Sequence, residues 1–507
     1  MNEPWNSAAH PQARRFLALI VIVAATAQSL GTALKMPTQL TANDISRYCT
    51  VWSLLERGTY AIDDCPWQKD TQDKVKKPDP FWKPSGRFEK VDEAAPEHYY
   101  SSKPPLFATV MAGVIYPFRK LSGVPLDGTF EQKRVERYVQ KSADEKPVLE
   151  TPPPMIWQAY VLYFKPVIVL FNIVPFLFFL ILYARFLDRH APNDWAYFVA
   201  LVAGAWGNYL LVFNSSLNNH TVAAYSAFFA MFAFVRICDQ EPDALDEDQE
   251  DLSYDKTRPG PRWRKSDFVA AGFWAAFCAC NEIPAGLFGG LLFLLLLVRS
   301  PKLTLLYFVP AALVPLLAFF ATQYLAFGQF KPVYEEFGTK SYNYEGSYWN
   351  TPLEFDYFNL HPESMPRYLF HMTFGHHGVF SLSPIFLFSI YGALLTIFGK
   401  GRPLKAVSWL TLLLTVAMLA FYTWNPKARN YGGSTSGLRW LFWLIPFWLL
   451  TLPSGLAGGQ TRKLPQRLIL IALGFSVLSV GYSLRSPWTH PWIVDLLEHL
   501  NLYKMVR

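Results

Sequence analysis

Apolar runs of about twenty residues recur along the whole chain, each long enough to cross a hydrocarbon core of ~30 Å. They lie near residues 16–34, 160–184, 194–213, 220–237, 267–281, 283–298, 303–325, 379–398, 404–424, 438–453 and 465–483. The polar segments between them are short, except for 35–155, 238–266 and 326–378. This pattern predicts an all-α polytopic integral membrane protein, a single transmembrane domain over 1–507 with about eleven transmembrane helices.

The loops alternate in basic character. Arg185–His190, Arg262–Lys265, Arg299–Lys302, Lys400–Lys405 and Arg462–Arg467 are basic and suit the cytoplasm, while 214–219, 327–377 and 425–437 fall on the opposite side. Arg14 and Arg15 precede the first run, which places the N-terminus inside and the 35–155 loop outside. Ala25-Thr26-Ala27 resembles a small-residue cleavage site, but a polytopic chain keeps its first helix as a start-transfer signal, so the run is read as uncleaved. The topology then requires an even number of crossings between Lys35 and Pro154. Only Pro104–Phe118 is apolar there, so it is expected to dip into or lie on the membrane without crossing. Arg47–Glu56, with Val51, Trp52, Leu54 and Leu55 among polar neighbours, reads as a juxtamembrane surface helix stopped by Gly58. Residues 63–99 read as an irregular outer loop, 238–266 as a flexible cytoplasmic loop, and 326–378 as an outer aromatic loop.

Composition narrows the class. The chain is 51% hydrophobic and only 17% charged, against about a quarter charged in soluble domains. Its 41 Phe, 26 Tyr and 17 Trp suit interfacial belts. The net charge of +7 sits mostly in short loops and reports topology and anionic headgroups, so nucleic acid is not an expected partner. The chain carries neither a glycine-rich phosphate loop nor a dinucleotide fingerprint. The absence of an internal repeat weighs against a transporter, many of which have one. Of the five cysteines, Cys278 and Cys280 lie in an apolar run. Cys49 and Cys65 share the first polar segment, and either a disulfide or two packed thiols suits them.

The unusual polar residues near span ends all fall on the outer side: Asp44, Arg47, Lys103, Asn214–His220, Glu282, His371, His376, His377, Arg429 and Arg439. Any one of them is as well explained by the polarity of loop ends; their coincidence on one face suggests a shared cavity. Asn43-Asp44 reads as a helix cap, and a capped carboxylate is also an aimed base. Arg47 lies one turn along, placed to pair with Asp44 or meet a phosphate. Lys103 precedes two prolines, a stiff turn suited to a phosphate oxygen, with snorkelling to headgroups as the alternative. Asn218-Asn219-His220 opens a span as a cap would, and Glu282 between two apolar runs is costly unless paired or facing a cavity. The tyrosines and Trp349 of the 326–378 loop suit either sugar stacking or an interfacial layer. His376 and His377, as sequence neighbours, are expected to point apart without an acidic partner at ligand spacing, so no metal site is assigned and a divalent ion is not favoured.

Asn43-Asp44-Ile45-Ser46-Arg47-Tyr48, Gly58 and Ser102-Lys103-Pro104-Pro105-Leu106 resemble the first outer loop of the GT-C superfamily of glycosyltransferases, aminoarabinose transferases and protein O-mannosyltransferases among them. Asn219-His220, Asn281-Glu282-Ile283-Pro284-Ala285, the 378–384 segment, Tyr431-Gly432-Gly433 and Gly437-Leu438-Arg439-Trp440 are similar to segments of bacterial GT-C-like membrane proteins. The resemblance implies a multi-pass enzyme of the bacterial cytoplasmic membrane with its site on the outer face. It would transfer a hexosyl or pentosyl group, with inversion, from a polyprenyl-phosphate sugar to a hydroxyl of a lipid, glycan or protein. Asp44 would then be the base, Lys103 a contact of the donor phosphate, and Arg47, His220, Glu282, His376 and Arg439 substrate-binding residues. Many relatives carry an acidic pair where this chain has Asn43-Asp44, so the pattern supports one carboxylate. A transporter or flippase of a lipid-linked substrate, or an inactive GT-C-like assembly protein, is the alternative.

Overall fold

The computed structural model describes residues 11–82, 95–132, 137–139, 148–150, 153–240, 263–350, 364–399, 404–424 and 429–502. The expected cytoplasmic loop falls largely on 241–262, outside the described residues. Of the described residues, 70% are helical and 4% lie in strands. Among the described residues, eight helices are long and apolar enough to cross a membrane: Arg14–Lys35, Ala159–His190, Asp194–Phe213, Asn219–Cys238, Pro301–Phe327, Lys405–Trp424, Arg439–Gly459 and Lys463–Ser483. It is a multi-pass membrane protein. The other predicted runs are also helical but shorter: Lys265–Asn281, Ile283–Arg299 and Phe386–Phe398. The 379–398 run is divided, because Pro384 separates the single turn Val379–Leu382 from Phe386–Phe398; a proline and the residue before it both disfavour continued helix.

The chain folds as two compact units. One comprises Met1–Met36, Phe171–Ala321 and Tyr348–Arg507; the other comprises Pro37–Leu170 and Thr322–Ser347.

The second unit is built on α2 (Ala42–Glu56) and α3 (Pro105–Ser122), helices that follow the first span, α1 (Pro11–Lys35). α2 starts five residues before the predicted Arg47. Its cap is Thr41, whose hydroxyl accepts the Asp44 N–H at 3.5 Å, so Asn43 and Asp44 lie inside the first turn rather than capping it. Nor is α2 a surface helix. From Asn43 to Ser53 every residue but Ile45 is buried, because α3, the turn Gln68–Asp70 and a strand pack around it. The helix stops at Glu56, with Gly58 at φ 70° supplying the left-handed turn.

The segment expected to be irregular contains an antiparallel pair, β1 (Lys74–Pro78) and β2 (Glu97–Ser101), in register from Lys74↔Ser101 to Pro78↔Glu97. Alternation buries Val75 and Tyr100, a period of two obscured in sequence by the charged residues between. Two shorter ladders follow: Thr129–Gln132 pairs with Met155–Gln158, and Arg137–Val139 with Val148–Glu150. Glu56 and Arg119 fasten α2 to α3 through two bonds of 2.7 and 2.8 Å, and Leu126 N–H adds a third at 3.0 Å. Burial pushes the Glu56 carboxyl up, but these donors outweigh it and the net shift is downward. Cys49 and Cys65 are both buried, hydrogen-bonded to each other, and thiols rather than a disulfide.

In the first unit the core is aromatic. Phe176, Phe179, Tyr183 and Phe186 recur at helical spacing, and Phe179 meets Phe228 edge-on at 4.7 Å. Phe386–Phe398 and Ile445–Leu456 approach so closely that backbone meets backbone. A Cβ on Gly455 would lie 1.9 Å from the Phe388 carbonyl oxygen, and one on Gly392 would lie 2.2 Å from that of Thr451. Small residues at crossings are how membrane helices pack tightly. Gly455→Ala is therefore expected to destabilise the purified protein by about 1–3 kcal/mol through overpacking. Gly474→Ala, where a Cβ meets nothing within 4 Å, should leave the melting temperature at or above wild type; thermal unfolding of both variants checks this.

Candidate functional site

In the second unit, Asp44 sits in the first turn of α2 and is 0% exposed. An acidic group there complements the helix dipole. Arg47, 2% exposed, reaches back to Asn43, bonding its side-chain oxygen and its carbonyl, the latter at 3.2 Å. Tyr48 stacks on Phe164 with centroids 3.8 Å apart. Its hydroxyl is pushed well above its ordinary pKa, first by burial, then by the Asp44 charge, with Arg47 opposing. Lys103 is held at the end of β2: its N–H donates to Ser101 Oγ at 3.1 Å, and its ammonium lies 2.9 Å from Asp73 Oδ2. The residues that fasten this cluster also brace α2. Thr71 donates to the Ala42 carbonyl at 2.7 Å and Ser46 to the Asp73 carbonyl at 2.5 Å.

The first unit gathers the remaining sequence candidates. Helix Asn219–Cys238 is capped by Asn218, whose side chain accepts the Thr221 N–H at 2.9 Å, which places His220 in the first turn. Helix Lys265–Asn281 ends at Glu282, extended at φ −134° and ψ 97° ahead of Ile283-Pro284. His220 Nδ1 bonds Glu282 Oε1, which also accepts from Asn219 Nδ2 at 2.7 Å. On the other side of the ring, Arg439 Nη1 lies 3.2 Å from His220 Nε2. A guanidinium only donates, so Nε2 is the acceptor and the ring proton sits on Nδ1, facing the carboxylate.

Arg439 also clamps the Gly432 carbonyl through Nε at 3.1 Å and Nη2 at 2.6 Å, and lies over Trp488, 4.9 Å from its centroid. The clamped turn is unusual. Tyr431, Gly432 and Gly433 all have positive φ, at 53°, 88° and 77°. A buried tyrosine in that region stores strain that its surroundings must hold, a pattern found at functional sites. Tyr431 stacks on His377 at 4.7 Å and meets His376 edge-on at 5.0 Å. Glu282, His220, Arg439 and His376 thus belong to one continuous network. Asp44, Arg47 and Lys103 belong to the second unit.

No family model, curated protein or solved structure matches this chain.

The expectation that His376 and His377 point apart is corrected: their Nδ1 atoms are 2.6 Å apart with rings 84° to each other, so one nitrogen carries the shared hydrogen. The Gly375–Gly378 turn bends the chain tightly enough to bring neighbouring rings together, and Ser381 closes it by donating to the Gly375 and Gly378 carbonyls. His371 stacks on His376 at 4.0 Å. Among the described residues no group of three or more His, Cys, Asp or Glu side chains has metal-holding geometry.

Burial, then the charges of His371, Arg367 and His490, pull His376 down to about 3. His377 is pulled well below its ordinary value by burial and by His376, His490 and His371. Both folded values lie below the unfolded value of about 6.5, so as pH falls the unfolded chain takes up protons first. Stability should therefore decline from about pH 6.5 towards pH 3. The melting temperature of purified protein, followed from neutral pH to pH 5, should fall. The His376→Gln, His377→Gln double variant should flatten that slope; an equally steep fall would assign it to other groups.

Sequence reasoning missed Asp73, Trp488 and the strain at Tyr431. Asp73 stands in a charge-rich stretch that carries no distinguishing signal. The Tyr-Gly-Gly triplet is the one local hint, since paired glycines announce a turn needing positive φ.

Proposed function

We propose that the chain is an integral-membrane glycosyltransferase of the GT-C kind. It would work on the outer face of a bacterial cytoplasmic membrane, with eleven crossings and its N-terminus inside. It moves a sugar from a polyprenyl-phosphate donor to a hydroxyl of a lipid, glycan or protein. The observation that carries this reading is a carboxylate and an ammonium mounted on one braced frame: Asp44 on α2, and Lys103 on a turn tied to α2 through Ser46, Asp73 and Ser101.

In this reading the acceptor oxygen attacks the anomeric carbon and gives its proton to Asp44. The bond from that carbon to the phosphate oxygen breaks, its electron pair leaves with the phosphate, and the configuration inverts. Lys103 neutralises the charge that builds on the leaving group. Asp44 has no exposed surface, so an acceptor reaches it only after the surroundings of α2 part.

The test is transfer itself. Purified protein in proteoliposomes, supplied with a panel of radiolabelled polyprenyl-phosphate sugars and hydroxyl acceptors, should move label from at least one donor. Retention of every donor intact would overturn the reading.

A further inference from the structure

Asp73 lies in the stretch Gln72-Asp73-Lys74-Val75-Lys76-Lys77, which in sequence resembles an ordinary solvated loop. Its backbone is held without help from its carboxylate. Its carbonyl accepts from the Ser46 hydroxyl at 2.5 Å and from the Ser102 N–H at 3.0 Å, and its N–H donates to Thr71 Oγ1 at 3.1 Å. The turn bearing Lys103 is held in the same way, by Ser101 Oγ, which also meets Ser46 Oγ at 2.6 Å. Tyr342, 3% exposed, hydrogen-bonds Ser102 and lies near Asp73. The frame stands on hydroxyls and backbone, and the carboxylate grips the Lys103 ammonium at 2.9 Å. The two side chains are 13% and 22% exposed, so an anion can approach the pair.

A phosphate oxygen and a carboxylate of like charge compete for one ammonium and repel each other. We infer that Asp73 is the resident counterion of Lys103, displaced when a phosphate group binds and returned when it leaves. The inference rests on the reading of Lys103 as a phosphate contact. Asp73 keeps the ammonium oriented in the empty site, and lowers the affinity for phosphate enough to release it. It is a positioning residue, acting through Lys103.

The direction of the effect separates this role from a structural one. Binding is measured on the full-length protein in proteoliposomes, with a polyprenyl phosphate as one probe and inorganic phosphate as the other. Asp73→Asn should bind about fivefold more tightly, the ratio set by one like charge at ~4 Å in water. Asp73→Ser, which also removes the charge, should show the same gain and serves if the asparagine variant does not fold. Lys103→Met should weaken binding, and the gain from Asp73→Asn should be smaller in that background than in the wild type, because competition for the ammonium is gone and only the like-charge repulsion is relieved. A gain with polyprenyl phosphate alone identifies a lipid headgroup, and one with inorganic phosphate identifies the free ion. Unchanged or weaker binding of both probes by the Asp73 variants overturns the inference. Unchanged binding by Lys103→Met instead overturns the reading of Lys103 beneath it, and loss of transfer in Asp44→Asn bears on neither.

Discussion

Asp44→Asn is expected to lower sugar transfer by about 10²- to 10⁴-fold, the range that a positioned general base contributes. The fold should survive. The capping contact of α2 runs from Thr41 to the backbone N–H of Asp44, not to its side chain, and asparagine keeps both the N–H and the side-chain shape. What is lost includes a negative charge in the first turn, worth about 0.3–1 kcal/mol, and the pull of that charge on the Tyr48 hydroxyl. Transfer assays and thermal unfolding on one preparation decide the matter. A variant that melts early yet turns over normally would make Asp44 a structural acid and remove the base from the proposed chemistry.

The second large effect is expected at Glu282, which is 7% exposed. Its Oε1 accepts from both His220 and Asn219, and the imidazole in turn accepts from Arg439. Glu282→Ala removes the acceptor of the buried His220 and of the half-buried Asn219 and leaves the Arg439 charge without its relay, which should cost about 3–5 kcal/mol. Glu282→Gln keeps an acceptor oxygen and should cost less, roughly 1–3 kcal/mol. A double-mutant cycle with His220→Ala separates a network from a set of independent bonds. Coupling of about 0.5–3 kcal/mol is expected. Strict additivity would show that the two residues do not act as a unit.

The legibility of the chain follows a physical divide. Each predicted apolar run is helical, because burying a run of apolar side chains in lipid forces its backbone to satisfy its own hydrogen bonds. A local rule also placed one break, Gly58 at the end of α2, while the division of the 379–398 run at Pro384 was not anticipated. Where one local signal competed with another, the reading slipped. Thr41 outcompeted Asn43-Asp44 as a cap, and the lysines of 74–77 hid a strand whose buried side is Val75. The face of α2 was misjudged because its polar residues are satisfied inside the unit, by Asn43 for Arg47 and by Asp73 and Ser101 for Ser46.

Residue type and loop chemistry were enough to single out Asp44, Lys103, His220, Glu282, His376 and Arg439, since polar groups beside long apolar runs are conspicuous wherever the chain later carries them. Their partners were decided only in three dimensions. Asp73 meets Lys103 because β1 pairs with β2 in the register Lys74↔Ser101, and a shift of one residue would turn those side chains to the other face. Glu282 meets His220 across 62 residues, and Arg439 meets it across 219, because three helix ends converge. Apolar patterning is written locally, since each side chain pays or gains its solvation energy on its own. An ion pair or a histidine tautomer belongs to two or three groups at once, and strand register and helix ends determine which groups those are.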